Sequence, residues 1–427
     1  MSKQTTKHIS DLIKYFSKEK IEKRAKLERD KAYDIRAIFE QMELDLIASM
    51  RRAFYFHQAE QLKEGFEWEQ WQLTKLREIE KYRKRNKELV AAYNKPIQEA
   101  IEREIRGNYS KGEDRIQKFL QKIKREFNKK IPKISGVVLP SDTSDTQAIR
   151  DYISKATGIP KKIPPETNFF SVNDKKLEAL IRSVNEDLEK AQYSVLRKMD
   201  DVYRQTIFKS HTYLQSGSKT LYQAIDLATK DFLNKGINSI IYSNGNRVNI
   251  ASYAEMALRT ANHRAMLMGE GKKRNEWGLH LVVVSAHANT CPKCEKWQGK
   301  MLIDDVFSNG SKTDGDYPLV SEAIKAGLLH PNCRHTLVTY FPDITQLPIV
   351  PDGEGAIKTY EAEQKQRHLE RQIRKWKRKE FGLLDSDSNA DAKKKVAYYE
   401  KLLREHLKEY PQLRRNRERE KSKGIKS

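Results

Sequence analysis

The chain has 427 residues, and its 82 lysines and arginines against 59 aspartates and glutamates give a formal net charge of +23 at pH 7. That length predicts about two or three domains. Three cysteines are too few for a disulfide scaffold. No apolar run resembles a signal peptide or approaches the roughly 18 residues of a membrane span. The basic excess suggests a polyanionic partner, with nucleic acid first.

The first 131 residues are predicted to form an elongated α-helical region. Apolar residues recur at the spacing of one helix face between Ile35 and Leu46 and again between Leu73 and Ile79. Residues 109–133 carry nine lysines and arginines against three acids. A basic amphipathic helix of this kind is most often a solvated surface, and contact with DNA or docking to a protein are the alternatives.

The middle of the chain begins with a predicted linker. Over residues 132–175, prolines and glycines interrupt a stretch rich in serine, threonine and aspartate. Helices are expected again over residues 176–270. A β-hairpin is predicted within them at residues 238–250, because Asn244-Gly245 lies between two β-prone runs and favours a tight turn.

The C-terminal part is strongly basic. Basic helices are expected over residues 352–410, where residues 365–380 alone carry eight lysines and arginines against two glutamates. Residues 411–427 are expected to form a disordered basic tail. Four arginines recur at helical spacing, and we expect that face to contact nucleic acid or a partner: Arg367, Arg371, Arg374 and Arg378.

All three cysteines lie within one window of 43 residues. The window belongs to a predicted small α/β (α+β) domain over residues 271–345, which begins with an apolar, buried strand at 281–285. A C-x-x-C turn directs two thiolates to one point, and a second pair completes a tetrahedron around Zn²⁺. The expected ligands of this structural zinc are Cys291, Cys294, His330 and Cys333, with His335 or His287 as alternates. The fold class is therefore mainly α, with a small α/β domain stapled by zinc.

Two alternative roles for the cysteines stay open. The C-x-x-C motif follows a strand, as it does in thiol–disulfide redox proteins, and buried cysteines are often inert. Trp297 and Gly299 follow the motif, and we expect the tryptophan to cover the metal site and the glycine to form a turn. His287 comes directly after the strand, where it is either a ligand or a group that orients one.

These residues resemble the signature of the phage minor capsid protein 2 family, which comprises minor head proteins of tailed bacteriophages and prophages. The resemblance rests on Ser285-Ala-His287, Trp297-Gln-Gly299 and Asn332-Cys-Arg-His335. The Cys-Pro-Lys-Cys…His-Pro-Asn-Cys-Arg pattern is also similar to the C-terminal motif of MuF-type head morphogenesis proteins. The stretch from Tyr253 to Thr260 and the basic residues 364–378 extend the resemblance to about residues 220–405.

The resemblance implies a minor structural component of the virion, present in few copies inside the capsid or at the portal vertex, and in the host cytoplasm during assembly. It implies phage portal and capsid proteins as partners. Basic helices suited to phosphate neutralisation add non-specific contact with double-stranded DNA, and no membrane partner is expected. The motif carries no catalytic activity, so we expect no enzyme.

Two different functions remain as alternatives. One is a metal-dependent nuclease, because His330 and His335 beside Asn332 are similar to His-Asn-His nucleases. Nearby carboxylates would suit a hard cation: Asp304, Asp305, Asp314 and Asp316. The other is a zinc-containing DNA-binding protein without a role in the virion.

Overall fold

The computed structural model describes residues 35–50, 53–54, 68–130, 168–215, 221–237, 240–241, 245, 247–340, 345, 347–383 and 386–420. Most of these residues are helical, and two small antiparallel sheets accompany the helices. This confirms the predicted mainly α fold with a small α/β part. The predicted helical residues before residue 35, most of the predicted linker and the last seven residues lie outside the described residues.

The elements have the following bounds. The helices are α1 (residues 35–50), α2 (Trp68–Arg77), α3 (Ile79–Ala92), α4 (Asn94–Lys130), α5 (Asn168–Gln215), α6 (Leu221–Lys235), α7 (Ile250–Glu276), α8 (Pro292–Glu295), α9 (Val320–Lys325), α10 (Gly353–Gly382) and α11 (Ser386–Glu409). The strands are β1 (Ile240–Ile241), β2 (Arg247–Val248), β3 (Leu281–Val284), β4 (Met301–Ile303) and β5 (Leu337–Thr339). Helix α5 begins before the predicted linker ends, so the last residues of that linker are helical.

Two compact units make up the chain, and each combines separate stretches. The first contains the described parts of residues 101–184 and 256–360, and the second contains those of residues 32–100, 185–255 and 361–420. Stretches that are far apart in the chain therefore share a core. Composition predicted domains that are each one continuous stretch of chain, and whether any such stretch folds alone stays a prediction.

A three-stranded antiparallel sheet lies in the first unit, with β3 between β4 and β5. All four residues of β3 are buried, which agrees with the buried strand predicted from its unbroken apolar sequence. An apolar run of this length is typical of a strand covered on both faces. The sheet is small, but its central strand anchors the segment that carries the cysteines.

Helices α4 and α7 touch backbone to backbone in the first unit, where each contributes a glycine. A Cβ added to Gly112 would fall on the carbonyl oxygen of Met266, and one added to Gly269 would fall on the carbonyl oxygen of Tyr109. Helices normally pack about 8–10 Å apart, depending on the side chains at the contact. Glycine on both helices is what allows the closer approach.

We expect Gly112→Ala to destabilise the first unit by about 1–3 kcal/mol, because the added methyl group must push the two helices apart. Gly107→Ala in the same helix is the matched control, since open space surrounds that position. The control should be stabilising by roughly 0.5–1 kcal/mol through helix propensity. Urea denaturation of both full-length variants measures the difference, and equal shifts would contradict the glycine crossing.

The second unit contains the predicted hairpin and a stacked aromatic core. Strand β1 pairs with β2 in antiparallel fashion, in agreement with the turn expected at Asn244-Gly245. Tyr203 lies between two rings, with centroids 4.3 Å from Tyr82 and 5.1 Å from Phe54. Stacked rings of this kind bury large apolar areas, so they hold α3 and α5 together.

The chain end is ordered further than its composition suggests. Residues 411–420 pack against α10, where the carbonyl of Arg414 accepts a hydrogen bond from Gln366 at 2.9 Å and the carbonyl of Arg419 accepts one from Arg374. Arg415 and Glu420 form a two-bond ion pair at 2.7 and 2.6 Å. This differs from the disordered tail predicted over these residues, because specific backbone acceptors satisfy the polar groups of α10.

No helix in the described part of the chain is both long and apolar enough to cross a membrane.

Candidate functional site

Two turns of different type carry the cysteine and histidine side chains, since Lys293 is helical in the first and Asn332 has a φ of +64° in the second. In the first, the N–H of Cys294 donates to the carbonyl of Cys291 at 3.0 Å, and in the second the N–H of Cys333 donates to the carbonyl of His330 at 2.8 Å. Proline occupies the second position of each turn. Because the proline ring holds φ at the value that this position of a turn needs, each sequence favours a turn here.

The sheet brings the two turns together. Val284 at the end of β3 pairs with Leu337 at the start of β5. Just beyond this pair, the N–H of Ser285 donates to the carbonyl of Thr336, and the N–H of Thr336 donates to Ser285 Oγ, each at 2.9 Å. The loop that follows β3 and the loop that precedes β5 therefore meet at the same end of these two strands. Each loop carries one of the turns.

The side chains form two groups of donor atoms that share Cys294. One group contains Cys291, Cys294 and His330, the other Cys294, Cys333 and His335, and the donor atoms within each group lie within 4.8 Å of one another. All three cysteines are free thiols. The Sγ atoms of Cys294 and Cys333 are 3.7 Å apart. The structure thus brings together the four expected ligands and one alternate, and the ligand assignment stays a prediction.

His330 is oriented by its own turn. Its Nδ1 lies 2.8 Å from the carbonyl oxygen of Pro331, and because a carbonyl only accepts, Nδ1 carries the proton. The lone pair of Nε2 then faces Cys291 Sγ at 3.1 Å. A histidine whose second nitrogen donates to a backbone carbonyl is the usual arrangement of a metal ligand.

His335 is buried and oriented by Gln298. The Gln298 Oε1 accepts the backbone N–H of His287 at 2.6 Å, and the His335 Nε2 lies 3.3 Å from the same oxygen. Thr290 Oγ1 lies 3.4 Å from the same Nε2. When Nε2 donates to the Gln298 oxygen, the lone pair of Nδ1 faces Cys333 Sγ at 3.5 Å. Gln298 therefore sets the side of the His335 ring that is open to the thiols.

His287 has protein partners for both ring nitrogens. Its Nε2 lies 2.9 Å from Ser285 Oγ, and the ring also donates to the backbone carbonyl of Arg334. Burial lowers the pKa of His287 to about 4, so the ring is neutral at pH 7 and can donate from one nitrogen while accepting at the other. It packs edge-on against His335 with centroids 4.8 Å apart, and it belongs to neither group of donor atoms.

The thiols of Cys294 and Cys333 share a proton. The hydrogen bond from the Cys294 thiol lowers the pKa of Cys333 well below its usual range, although burial opposes this. Thiolate is the form of cysteine that binds metals. The cluster therefore already favours the ionised state at one of its sulfurs.

An apolar core surrounds the thiols. Cys294 is fully buried in a cluster that includes Val282, Val284 and Leu302, and Trp297 packs against the same cluster. Trp297 thus lies beside the cysteines as expected, and Gly299 adopts a φ of +71°, a left-handed conformation that glycine adopts without strain.

The aspartates considered for a hard cation serve mainly as local anchors. Asp304 is fully buried, accepts from Arg274 at 2.7 Å and caps a backbone N–H at 2.8 Å. Asp305 and Asp314 each accept a backbone N–H, at 2.9 and 2.6 Å, and Asp316 is exposed. In the part of the chain that the structure describes, the donor clusters contain only cysteine and histidine.

The four arginines of α10 occupy different environments. Arg374 and Arg378 are buried in the second unit, where Arg378 lies 3.9 Å from a carboxylate oxygen of Glu43. Arg367 pairs with Glu363 at 2.7 Å, and Arg371 is exposed. Buried, paired guanidinium groups are not available to a polyanion, so the predicted contact now rests on Arg371 alone among the four.

A stripe of residues next to the arginines forms the outward face of α10. These residues recur at spacings of three and four and are exposed or half-exposed. We term them the basic face: Lys365, His368, Arg371, Lys375 and Lys379. The ammonium groups of Lys375 and Lys379 lie 5.3 and 4.2 Å from the ring centroid of Trp376. Between residues 365 and 380, the described salt bridges involve Arg367, Lys377 and Arg378 instead.

Sequence reasoning missed several residues of these sites. Gln298 belongs to the Trp297-Gln-Gly299 stretch that carries the resemblance, so a signal for it was present although its role was not visible. Lys230 on α6 adds to the charge around Trp376, since it lowers the pKa of Lys375 and of Lys379 after the larger effect of partial burial. No sequence pattern links it to α10.

Comparison with known proteins gives consistent results. Residues 114–408 match the family model described as phage minor capsid protein 2. A structural protein of Lactococcus phage LL-H is 26% identical over 319 residues, which cover 72% of this chain and 80% of that protein. A structural protein of Lactococcus phage mv4 is 32% identical over 104 residues, or 23% of this chain and 85% of that protein. No solved structure matches the chain.

Proposed function

The chain belongs to the phage minor capsid protein 2 family, and from that premise we propose that it is a minor structural protein of the head of a tailed bacteriophage or prophage. It acts in head assembly near the portal and contacts packaged DNA. The observation that carries the DNA contact is the basic face of α10, whose Lys375 and Lys379 form no salt bridge with a carboxylate among the described residues.

Uncompensated charge on the basic face favours an anionic partner. Partial burial, followed by repulsion from Arg378 and Lys230, lowers the pKa of Lys375. Partial burial and then repulsion from Lys375 and Lys230 likewise lower the pKa of Lys379, and attraction to Asp226 opposes this with the smallest contribution. A phosphate that binds among cations lowers their electrostatic energy, because its negative charge attracts each of them and offsets their mutual repulsion.

The basic face suits the DNA backbone better than the bases. Lysine is a flexible point charge that neutralises phosphates without reading sequence. Trp376 lies under two of the lysines and is half-buried, so it supports the ammonium groups and does not present a free ring to stack on a base. Binding of this kind is independent of sequence and strongly dependent on salt.

The structural role is tested on particles of the source phage or induced prophage. We expect mass spectrometry of purified procapsids and virions to detect the chain at a few to tens of copies for each particle, measured against the major capsid protein, and crosslinking to connect it to the portal. Clean absence from both kinds of particle would reject the virion role. A nuclease, or a DNA-binding protein outside the virion, would then be the function to test.

DNA contact is tested with Lys375→Gln/Lys379→Gln. Each phosphate contact that is lost lowers the slope of log K against log salt by about 0.9, so the double variant should lower the slope by roughly 2 and weaken binding to DNA of any sequence equally. The measurement is a salt titration of full-length protein with duplexes of different sequence.

Lys394→Gln/Lys401→Gln is the matched control for that experiment. It removes the same charge from α11 in the same unit, but from exposed lysines that lie 3.7 and 3.8 Å from carboxylates of Asp391 and Glu405. We expect the control to keep the wild-type slope. Equal loss in both double variants would show that net charge alone drives binding and would remove α10 as the contact.

A further inference from the structure

We propose that the two turns bind one zinc ion through the Sγ atoms of Cys291, Cys294 and Cys333 and the Nδ1 of His335. In this arrangement His330 is a positioning residue outside the coordination shell. Its Nε2 takes the proton of the Cys291 thiol as the metal enters, and the resulting N–H donates to the Cys291 thiolate. The site is closed, with four protein ligands, and is therefore structural. The remaining thiol protons leave to solvent as the metal enters.

The distances from the sulfur atoms to the two histidines favour His335 as the zinc ligand. Zinc–sulfur and zinc–nitrogen bonds of about 2.3 and 2.0–2.1 Å place tetrahedral ligands about 3.8 Å apart for two sulfurs and about 3.6 Å apart for sulfur and nitrogen. The Cys294–Cys333 and Cys333–His335 separations of 3.7 and 3.5 Å match these edges. The Cys291–His330 separation of 3.1 Å is shorter and corresponds to a hydrogen bond between sulfur and nitrogen.

Burial and the surrounding hydrogen bonds also favour His335. Its side chain is 3% exposed, and its proton-bearing Nε2 faces the Gln298 oxygen, which the backbone of His287 holds in place. His330 is only half-buried, and a single carbonyl of its own turn orients it. Structural zinc sites fix their histidine ligands by a hydrogen bond to the second nitrogen, and His335 has the more rigid support.

Metal binding accounts for the cluster better than redox chemistry does. A disulfide between Cys294 and Cys333 would use two of the three sulfurs and leave Cys291 as a thiol beside His330. A zinc ion uses all three sulfurs, and the Sγ of Cys294 lies within 4.8 Å of the Sγ atoms of both other cysteines. The cluster also lies in an apolar core, where uncompensated thiolates would be costly and a divalent cation offsets their charge.

The test uses the full-length chain, purified without chelator. We expect one zinc ion for each chain and an X-ray absorption shell of three sulfurs at about 2.3 Å and one nitrogen at about 2.0 Å. In protein labelled with ¹⁵N-histidine and loaded with ¹¹³Cd, the cadmium should couple to an Nδ1 nitrogen. Failure to bind zinc in competition with a chelating dye would overturn the proposal, and coupling to an Nε2 nitrogen would overturn the choice of His335.

His335→Ala and His330→Ala form a matched pair. We expect His335→Ala to lose the nitrogen of the shell, with a fall in zinc affinity greater than the roughly 10–100-fold that removal of an outer partner costs. His330→Ala should keep three sulfurs and one nitrogen and stay within that range. The reverse pattern would make His330 the ligand. The cadmium measurement on the wild-type chain decides the question even when a variant fails to fold.

Discussion

Cys294→Ser is expected to destabilise the first unit far more in the presence of zinc than in its absence. Cys294 is the one residue common to both donor groups, so its loss removes the site whichever histidine binds. At free zinc a thousandfold above the dissociation constant, binding stabilises the folded state by about 4 kcal/mol. The wild type should therefore lose about that much stability when zinc is removed, and the variant should lose almost nothing.

Thermal denaturation of both proteins, with zinc and with a chelator, measures this difference. In chelator the two proteins should differ only by the cost of a hydroxyl group in place of a thiol in the core, which is typically about 1–3 kcal/mol. Comparing the two conditions separates metal binding from packing. If the melting temperature of the wild type is the same with zinc and with the chelator, the thiols are inert core residues.

Arg274→Met is expected to give the second large effect, a loss of about 3–5 kcal/mol. Arg274 is fully buried and lies 2.7 Å from a carboxylate oxygen of Asp304 and 3.5 Å from one of Glu270. Both acids are also buried. Glu270 keeps Arg115 as a partner at 2.6 Å, but Asp304 would be left as an uncompensated buried charge.

Two further variants separate charge from packing. Arg274→Met/Asp304→Asn removes both charges and keeps an oxygen for the backbone N–H that Asp304 caps, so it should recover much of the lost stability. Lys358→Met breaks an exposed pair with Glu354 at 2.6 Å, where the side chains are 69% and 77% exposed, and should cost about 0–1 kcal/mol. If Arg274→Met costs no more than Lys358→Met in urea denaturation, burial of the pair is not what stabilises it.

Local sequence signals predicted most of the elements. The apolar run of β3 and the Asn-Gly turn of the hairpin gave patterns that short-range physics suffices to interpret, because both depend on neighbouring residues. The long helices followed from their apolar spacing. The boundary between linker and α5 was less accurate, since Asn168 begins the helix within a stretch of mixed composition.

The site shows the same division. The sequence by itself determined which residue types converge, since two X-Pro-x-Cys turns and their flanking histidines are visible as spacing, and the same residues carry the family resemblance. The roles of Gln298 and His287 were not visible, because they depend on hydrogen bonds made across the edge of the sheet. The direction in which the His335 ring faces the sulfurs depends on the hydrogen bonds of Gln298.

Only the tertiary structure decided which face of α10 is outward. Helical spacing groups Arg367, Arg371, Arg374 and Arg378 on one side, but periodicity cannot tell a solvated basic stripe from one buried against acids. In the folded chain Glu43 lies beside Arg378, and the carbonyl of Arg419 accepts from Arg374. These partners come from distant parts of the chain, so the burial of Arg374 and Arg378 follows from packing, which no local pattern encodes.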